Sequence, residues 1–413
     1  TAGGRILRWG DDAQEAGLAL RQAAVVIDGI VGIGGSGALR PDAAALVAAA
    51  SDGEAIVVAV DVPSGVDADS GVVTGAAVVA DVTVTFGALK PGLVVAPGAL
   101  HSGTVRLVDI GLDFAEAARA YVLEALDVAG WVAEPAPDAY KYRRGVVGVA
   151  AGSAAYPGAA LLSTGAARHA NVGMVRILDR ADGVAALVIG HFPDIVKDGS
   201  DPSDQARVDV WACGPGFPGD RLDSVTVAAV LASSVPVVLD AGALAIAAEE
   251  PALRESIADR WRRGLLTVLT PHEGEFERLM PGALAVSGGR LAAARDAASQ
   301  WGAVVVLKGP GTVIAAPDGR AFVDVEGSAD LGCAGSGDVL TGVIAAVLSG
   351  AWADGRRTSD ELTEAVAAGV WLHGAAGRIA AERAPITATD VASAVPAAIR
   401  LARFGDPAPD GSP

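Results

Sequence analysis

Short, continuous apolar runs recur along this chain, separated by longer Ala-rich segments. "AAVVIDGIVG", "AIVVAVDVPSG" and "DVTVTFG" come first. "GVVGVAAGS", "MVRILDR", "VDVWACGPG", "VPVVLDAG", "LLTVLTPHEGE", "AVVVLKGPGTVIAAP" and "RAFVDVEG" follow. Continuous Val/Ile runs that end in Gly, Asp or Pro predict strands buried on both faces. Their alternation with helical segments predicts an α/β fold with mainly parallel sheets. "VVLKGPGTVIAAPDGRAFV" reads as a hairpin-like strand–loop–strand unit. Ligand sites in such sheets form at the carboxyl ends of strands, so the polar residues just after each run are the candidates.

One segment breaks the pattern. "AEPAPDAYKYRRG" is rich in Pro and charge, lacks periodicity and reads as a linker. It divides the 413 residues into two expected domains, 1–134 with the linker and 135–404. The tail, residues 405–413, is expected to be disordered.

Composition narrows the function classes. The net charge is −18 with no basic run, which argues against nucleic-acid binding. Cys213 and Cys333 lie far apart without metal-type spacing and fit a reducing cytoplasm. The apolar stretches are interrupted before they reach membrane-spanning length, so no membrane partner is expected.

In the first half, Gly32, Gly34 and Gly37 form G-x-G-x-x-G after a strand. That suggests a dinucleotide loop, but the proline of "ALRPDAAALVAAA" delays the helix, and a plain strand-end loop fits equally. Asp61 ends a strand ahead of Pro63-Ser64-Gly65. Asp61 and Ser64 offer oxygens to a ligand or hard cation, and a turn-forming role for Asp61 stays open. Lys90 in "TFGALKPG" stays open between surface and site.

The order Asp28, "GIGGSG", "DVPSG", "TFGALKPG", "VDIGL" resembles the hydrated-NAD(P)H epimerase domain. This resemblance implies a Rossmann-like αβα fold that interconverts the R and S hydrates of NADH and NADPH. It implies potassium (K+) held by Asp28 and Ser64. It places Gly32, Gly34, Gly35, Ser36, Gly37 and Asp61 at the hydrate, with Asp61 as the proton-transfer group. The family's Asn/Gly-rich phosphate loop is not in this sequence, and epimerisation is expected to depend on it.

The second half carries a sharper signal. "AGSGDVLTGVIAAVL" places Gly335, Ser336 and Gly337 at a helix start, where backbone amides and the helix dipole favour an anion. Asp338 follows in the first turn, expected to be ionised and able to take a proton from an attacking hydroxyl. Lys308 precedes Gly309-Pro310-Gly311-Thr312, a combination of charge, free amides and hydroxyl that can hold phosphate. Gly214-Pro215-Gly216 lets backbone approach a ligand, and His272 sits at a strand end before a Glu-rich helix start.

This helix start resembles the ribokinase-like superfamily. With "YPGAA", "GPG", "VVLDAGAL", "LTPHEGE" and "LKGPGT" in this order, the segment looks like the ADP-dependent hydrated-NAD(P)H dehydratase family. The resemblance implies that Ala159, Gly216, His272 and Asp338 contact the hydrate. It implies that Lys308 to Thr312 and Gly337 hold the adenine nucleotide, that Gly335 to Gly337 form the anion hole, and that Asp338 is the base. It also implies ADP as phosphoryl donor, Mg2+, and metabolite repair by a homo-oligomer. One departure is Gly242, where the family usually has a second Asp beside Asp240. A ribokinase-like kinase of an ordinary alcohol is the competing enzyme, and a nucleotide-sensing module without catalysis is the competing class.

Overall fold

The computed structural model describes residues 5–113, 118–132, 134–180, 183–199, 201–202, 207–382 and 384–405. Apart from Gly405, the tail expected to be disordered lies outside the described residues. The chain divides into two compact units, residues 1–118 with 284–292, and 119–283 with 293–413.

The first unit holds a four-stranded, wholly parallel sheet. Its strands are β1 (Val25–Asp28), β2 (Ile56–Val60), β3 (Val82–Phe86) and β4 (Thr104–Val108), in spatial order β1-β2-β3-β4. Helices Trp9–Gln22 and Pro41–Ser51 accompany it. Pro41 opens its helix at the first helical position, where a missing N–H costs nothing. The glycine loop therefore runs free of a helix, unlike a tight dinucleotide turn.

The second unit is built on a ten-stranded sheet. Its strands are β5 (Ala120–Tyr121), β6 (Val146–Ala150), β7 (Met174–Leu178), β8 (Val196–Asp198), β9 (Val210–Cys213), β10 (Val237–Leu239), β11 (Thr267–Leu269), β12 (Val304–Leu307), β13 (Thr312–Ala315) and β14 (Ala321–Asp324). The order is β5-β14-β13-β12-β11-β10-β9-β6-β7-β8. From β12 to β8 every pairing is parallel, and β12-β13-β14 forms the antiparallel meander that the short spacing suggested. All residues of β6, β9, β10, β11 and β12 are buried, as their unbroken apolar runs require. The apolar helix Ser336–Ala353 lies inside this unit, packed on helices Pro157–His169 and Ser359–Ala381. Gly342 makes that packing possible: a Cβ there would sit 2.2 Å from Ser163 O.

The domain boundary differs from the one expected at 134/135. It falls at 118/119. Residues 120–121 pair with β14, and Val128 and Val132 are fully buried in the second unit's core. These residues precede the Pro- and charge-rich stretch read as a linker, and a few apolar side chains suffice to dock them on the second unit.

Candidate active site

In the first unit, Asp61 follows β2 with φ of 72°, a left-handed conformation that Asp tolerates better than most residues. Lys90 Nζ donates to Asp61 Oδ1 at 2.6 Å, to Thr85 Oγ1 at 2.8 Å and to the Phe86 carbonyl at 2.8 Å. An ammonium has three donors, so Lys90 is fully committed and acts as a brace for Asp61. Burial opposes ionisation of Asp61, but the Lys90 ammonium and the Thr85 hydroxyl hold it below the usual carboxylate range. Asp61 is thus an anion at neutral pH, fit to accept a proton. A Cβ on Gly32 would lie 3.7 Å from Asp61 Oδ2, so this oxygen faces the glycine loop. The structure brings Asp61 and Gly32 together. Gly34 and Gly37 meet nothing within 4 Å of a built Cβ, and Ser36 is exposed. Gly35 closes a turn, its amide donating to Gly32 O at 3.0 Å.

Asp28 and Ser64 also meet. Ser64 Oγ donates to Asp28 Oδ1 at 2.7 Å, and Ser64 N to Oδ2 at 2.8 Å. The Ser64 hydroxyl oxygen accepts from Val31 N at 3.0 Å and lies 3.4 Å from Val31 O. Asp28 is buried, and no ion pair to it occurs among the described residues. A buried carboxylate beside a hydroxyl and a carbonyl is a hard-oxygen set that suits an alkali cation.

In the second unit, the predicted residues gather at the carboxyl ends of β6, β9, β10, β11 and β12. Lys308, after β12, is the hub. Its Nζ lies 2.9 Å from Asp240 Oδ1 and 3.7 Å from Glu275 Oε2. Burial works against the ammonium, but Asp240, Glu275 and Asp338 overcome it and raise its pKa. Asp240, after β10, accepts from Thr270 Oγ1 at 2.8 Å and Thr341 Oγ1 at 2.8 Å as well. A Cβ on Gly337 would come within 3.3 Å of Lys308 Nζ and 3.8 Å of Asp240 Oδ2, so glycine keeps this space open.

Asp338 stands in the first turn of the helix that starts at Ser336. Gly335 caps it with φ of 88°, where a side chain would be strained. The helix dipole favours the carboxylate, yet the net effect runs the other way. Burial, then the Asp240 charge, push Asp338 up to about 6, with Lys308 opposing and Glu275 adding to the rise. It is still mostly ionised at pH 7, but through a narrow margin, which suits a general base.

The three-amide anion hole is modified. Ser336 N donates to Cys333 O at 3.3 Å, closing the turn before the helix. Gly335 N, together with Gly337 N and Asp338 N in the first helical turn, has no backbone acceptor among the described residues, and these are the amides left to face an anion. Thr312 also differs from expectation. Its hydroxyl closes its own turn, donating to Gly309 O at 3.0 Å and accepting from Gly309 N at 3.3 Å. With Pro310 lacking an N–H, Gly311 supplies the amide of this loop, which is exposed at Gly309 and Pro310.

Ala159 and Gly216 touch: a Cβ on Gly216, whose φ is 73°, would lie 2.8 Å from Ala159 Cβ. His272 caps helix Glu273–Leu279. Its Nδ1 accepts from Gly274 N at 3.0 Å and Glu275 N at 3.4 Å, so the proton sits on Nε2, 3.6 Å from Glu275 Oε1. The cap also returns Glu275 Oε2 to His272 N at 2.9 Å, placing that carboxylate beside Lys308.

Residues 147–397 match the family model of NAD(P)H-hydrate dehydratase, and residues 2–92 match that of the YjeF-related protein N-terminus. The chain belongs to the NAD(P)H-hydrate dehydratase family. The bifunctional NAD(P)H-hydrate repair enzyme Nnr of Mycobacterium tuberculosis is 44% identical over 328 residues, which cover 79% of this chain and 65% of that relative. The chain therefore spans about two thirds of the length of such relatives. The crystal structure of ADP/ATP-dependent NAD(P)H-hydrate dehydratase from Bacillus subtilis, co-crystallised with ATP/Mg2+, superposes with a TM-score of 0.57 at 28% identity. That match covers 69% of this chain and 100% of the other. A ribokinase-like superfamily protein of Enterococcus faecalis, at 21% identity, 71% of this chain, 98% of that chain and a TM-score of 0.56, shows the fold.

At Gly242, where the resemblance led to the expectation of a second Asp, the backbone leaves no room for a side chain. A Cβ there would lie 2.4 Å from Phe217 O. Asp240, Glu275, Thr270 and Thr341 were not singled out for the site by sequence. Asp240 carried a signal, a lone acid at a strand end, and Glu275 carried the capping-box spacing from His272.

Proposed function

We propose that the second unit dehydrates the S hydrate of NADH or NADPH at the expense of ADP, giving NAD(P)H, AMP and phosphate. The observation that carries this reading is Asp338, with a pKa near 6, at a helix start beside Lys308. The hydrate hydroxyl is a poor leaving group. Asp338 takes its proton as the oxygen attacks the β-phosphate, and AMP departs. The Gly337 and Asp338 amides and Lys308 oppose the charge that develops on the transferred group. The ring nitrogen then expels phosphate, and loss of a C5 proton restores the double bond.

Three carboxylates surround one ammonium here, so the pocket repels a bare nucleotide, which fits a magnesium-bound donor. Asp240 is committed to Thr270, Lys308 and Thr341, so a magnesium ion would arrive with the nucleotide, near the Asp338 and Glu275 carboxylates, and would neutralise phosphate charge. Lys308 to Thr312 with Gly337 hold the nucleotide, and Ala159, Gly216 and His272 line the hydrate side.

The first unit is read as the epimerase, with Asp61 as base, Gly32 to Gly37 at the hydrate, and potassium at Asp28 and Ser64. The potassium charge would balance the buried Asp28. A cytoplasmic homo-oligomer completes the reading. Incubating separated R and S hydrates with ADP and magnesium tests it. Chromatography should show S consumed with equimolar AMP, and any consumption of R that requires added potassium would report epimerisation by the first unit; a phosphorylated hydrate as end product would favour the kinase alternative.

A further inference from the structure

His373 lies on helix Ser359–Ala381 and is buried beneath the start of the phosphate-facing helix. Its Nε2 is 3.0 Å from Ser336 O and 3.1 Å from Ser336 Oγ. A carbonyl only accepts, so Nε2 carries the proton and donates to it. The Ser336 carbonyl belongs to the same planar trans peptide as the Gly337 N–H, and the two point in opposite directions. Whatever fixes one fixes the other. The Thr341 hydroxyl lies 3.1 Å from the next carbonyl, Gly337 O, and gives its one proton to Asp240 Oδ2 at the shorter 2.8 Å.

We propose that His373 is a positioning residue for phosphoryl transfer: by gripping the Ser336 carbonyl it aims the Gly337 amide at the transferring phosphate. The proposal rests on the phosphoryl-transfer reading of this site. Burial pushes His373 down to about 4 against the pull of the Ser336 carbonyl. The imidazole is therefore neutral at working pH and contributes direction without adding charge. A histidine that served only to fill space would need no proton on the nitrogen facing Ser336. The amide that it governs is the one beside Lys308 and Asp240, where a methyl group would already be crowded.

The test uses the full chain with His373→Leu, His373→Gln and His373→Asn. Gln can place an N–H where Nε2 stands; Asn is too short. Removing one donor from such a hole costs roughly 100- to 1,000-fold, so misaiming it should cost about tenfold or more. The expected result is a kcat about tenfold lower or worse for Leu and Asn, KM values for ADP and hydrated NADPH within about threefold of wild type, and recovery by Gln. A purely structural role would lower the melting temperature without splitting Gln from Asn. Should Leu fail to fold, the contrast of Gln with Asn decides. A Gln variant as slow as Asn, or a Leu variant with wild-type kcat, overturns the proposal. The Gly337 amide resonance of glycine-labelled enzyme saturated with ADP and magnesium, identified by its loss in Gly337→Ala, provides a readout independent of turnover. It should move in His373→Leu and return in His373→Gln. A wild-type enzyme that regenerates no NADPH sinks the dehydratase reading, while an unmoved Gly337 signal sinks the positioning claim.

Discussion

Replacing Asp338 with Asn should cripple catalysis and stabilise the fold at the same time. The native carboxyl holds its proton up to about pH 6, whereas an unfolded Asp releases it near 3.8. Between these values the native state binds more protons, so stability falls as pH rises through the interval. About two pKa units at about 1.4 kcal/mol each sets a ceiling near 3 kcal/mol of native-state cost at pH 7. Partial exposure screens this, so a gain of about 1–2 kcal/mol is the realistic expectation for Asn. That corresponds to an increase of several degrees in the melting temperature of the second unit, at roughly 2–4 °C per kcal/mol. The gain should vanish near pH 4, where the native carboxyl is already protonated. Loss of the general base should lower kcat by about 100- to 10,000-fold with little change in KM. Calorimetry at pH 4 and pH 7, paired with steady-state kinetics, checks both halves. A variant that melts lower at pH 7, or that keeps wild-type kcat, refutes the placement of a strained, catalytic carboxylate at this position.

Three further outcomes follow from other parts of the second unit. Lys308→Met removes the cation that opposes the rise at Asp338, so the acidic limb of the kcat profile, expected near pH 6 in the wild type, should move to higher pH. Gly216→Ala introduces a Cβ 2.8 Å from Ala159 Cβ and 2.9 Å from Tyr156 O at a φ of 73°, so KM for the hydrate should rise with the nucleotide KM nearly unchanged. Arg260→Met should lower stability by about 3 kcal/mol or more in denaturant titration, because Leu231, Ser233, Val235 and Leu266 would each lose a buried donor to their carbonyl.

The fold was legible wherever apolar runs were long. The strands from β9 to β13 declare themselves because burial on both faces leaves them almost wholly apolar, with Thr267 and Thr312 as the polar residues that open β11 and β13. β4, β5 and β8 were not read. β8 is short and carries Lys197 and Asp198 at the sheet edge, and β5 is only two residues long. At the site, sequence showed which residues stand at strand ends and helix starts, and Asp338, Lys308, Gly337, Ala159 and Gly216 do converge in the pairings described. It did not show direction. Helix-dipole reasoning predicts a lowered Asp338 pKa, and the opposite shift arises first from burial and then from Asp240 and Glu275, which come from distant parts of the chain. Ser336 and Thr312 have the right chemistry for phosphate but spend an amide or a hydroxyl closing local turns, a choice that only backbone geometry reveals.

The most direct measurement is recovery of near-ultraviolet nicotinamide absorbance from purified S-hydrated NADPH on adding this chain, ADP and magnesium. Restored absorbance with one AMP and one phosphate formed per NADPH regenerated is the predicted result. ADP consumption without returning absorbance, or no change with either ADP or ATP, would contradict the assignment of Asp338 and its helix start to hydrate repair.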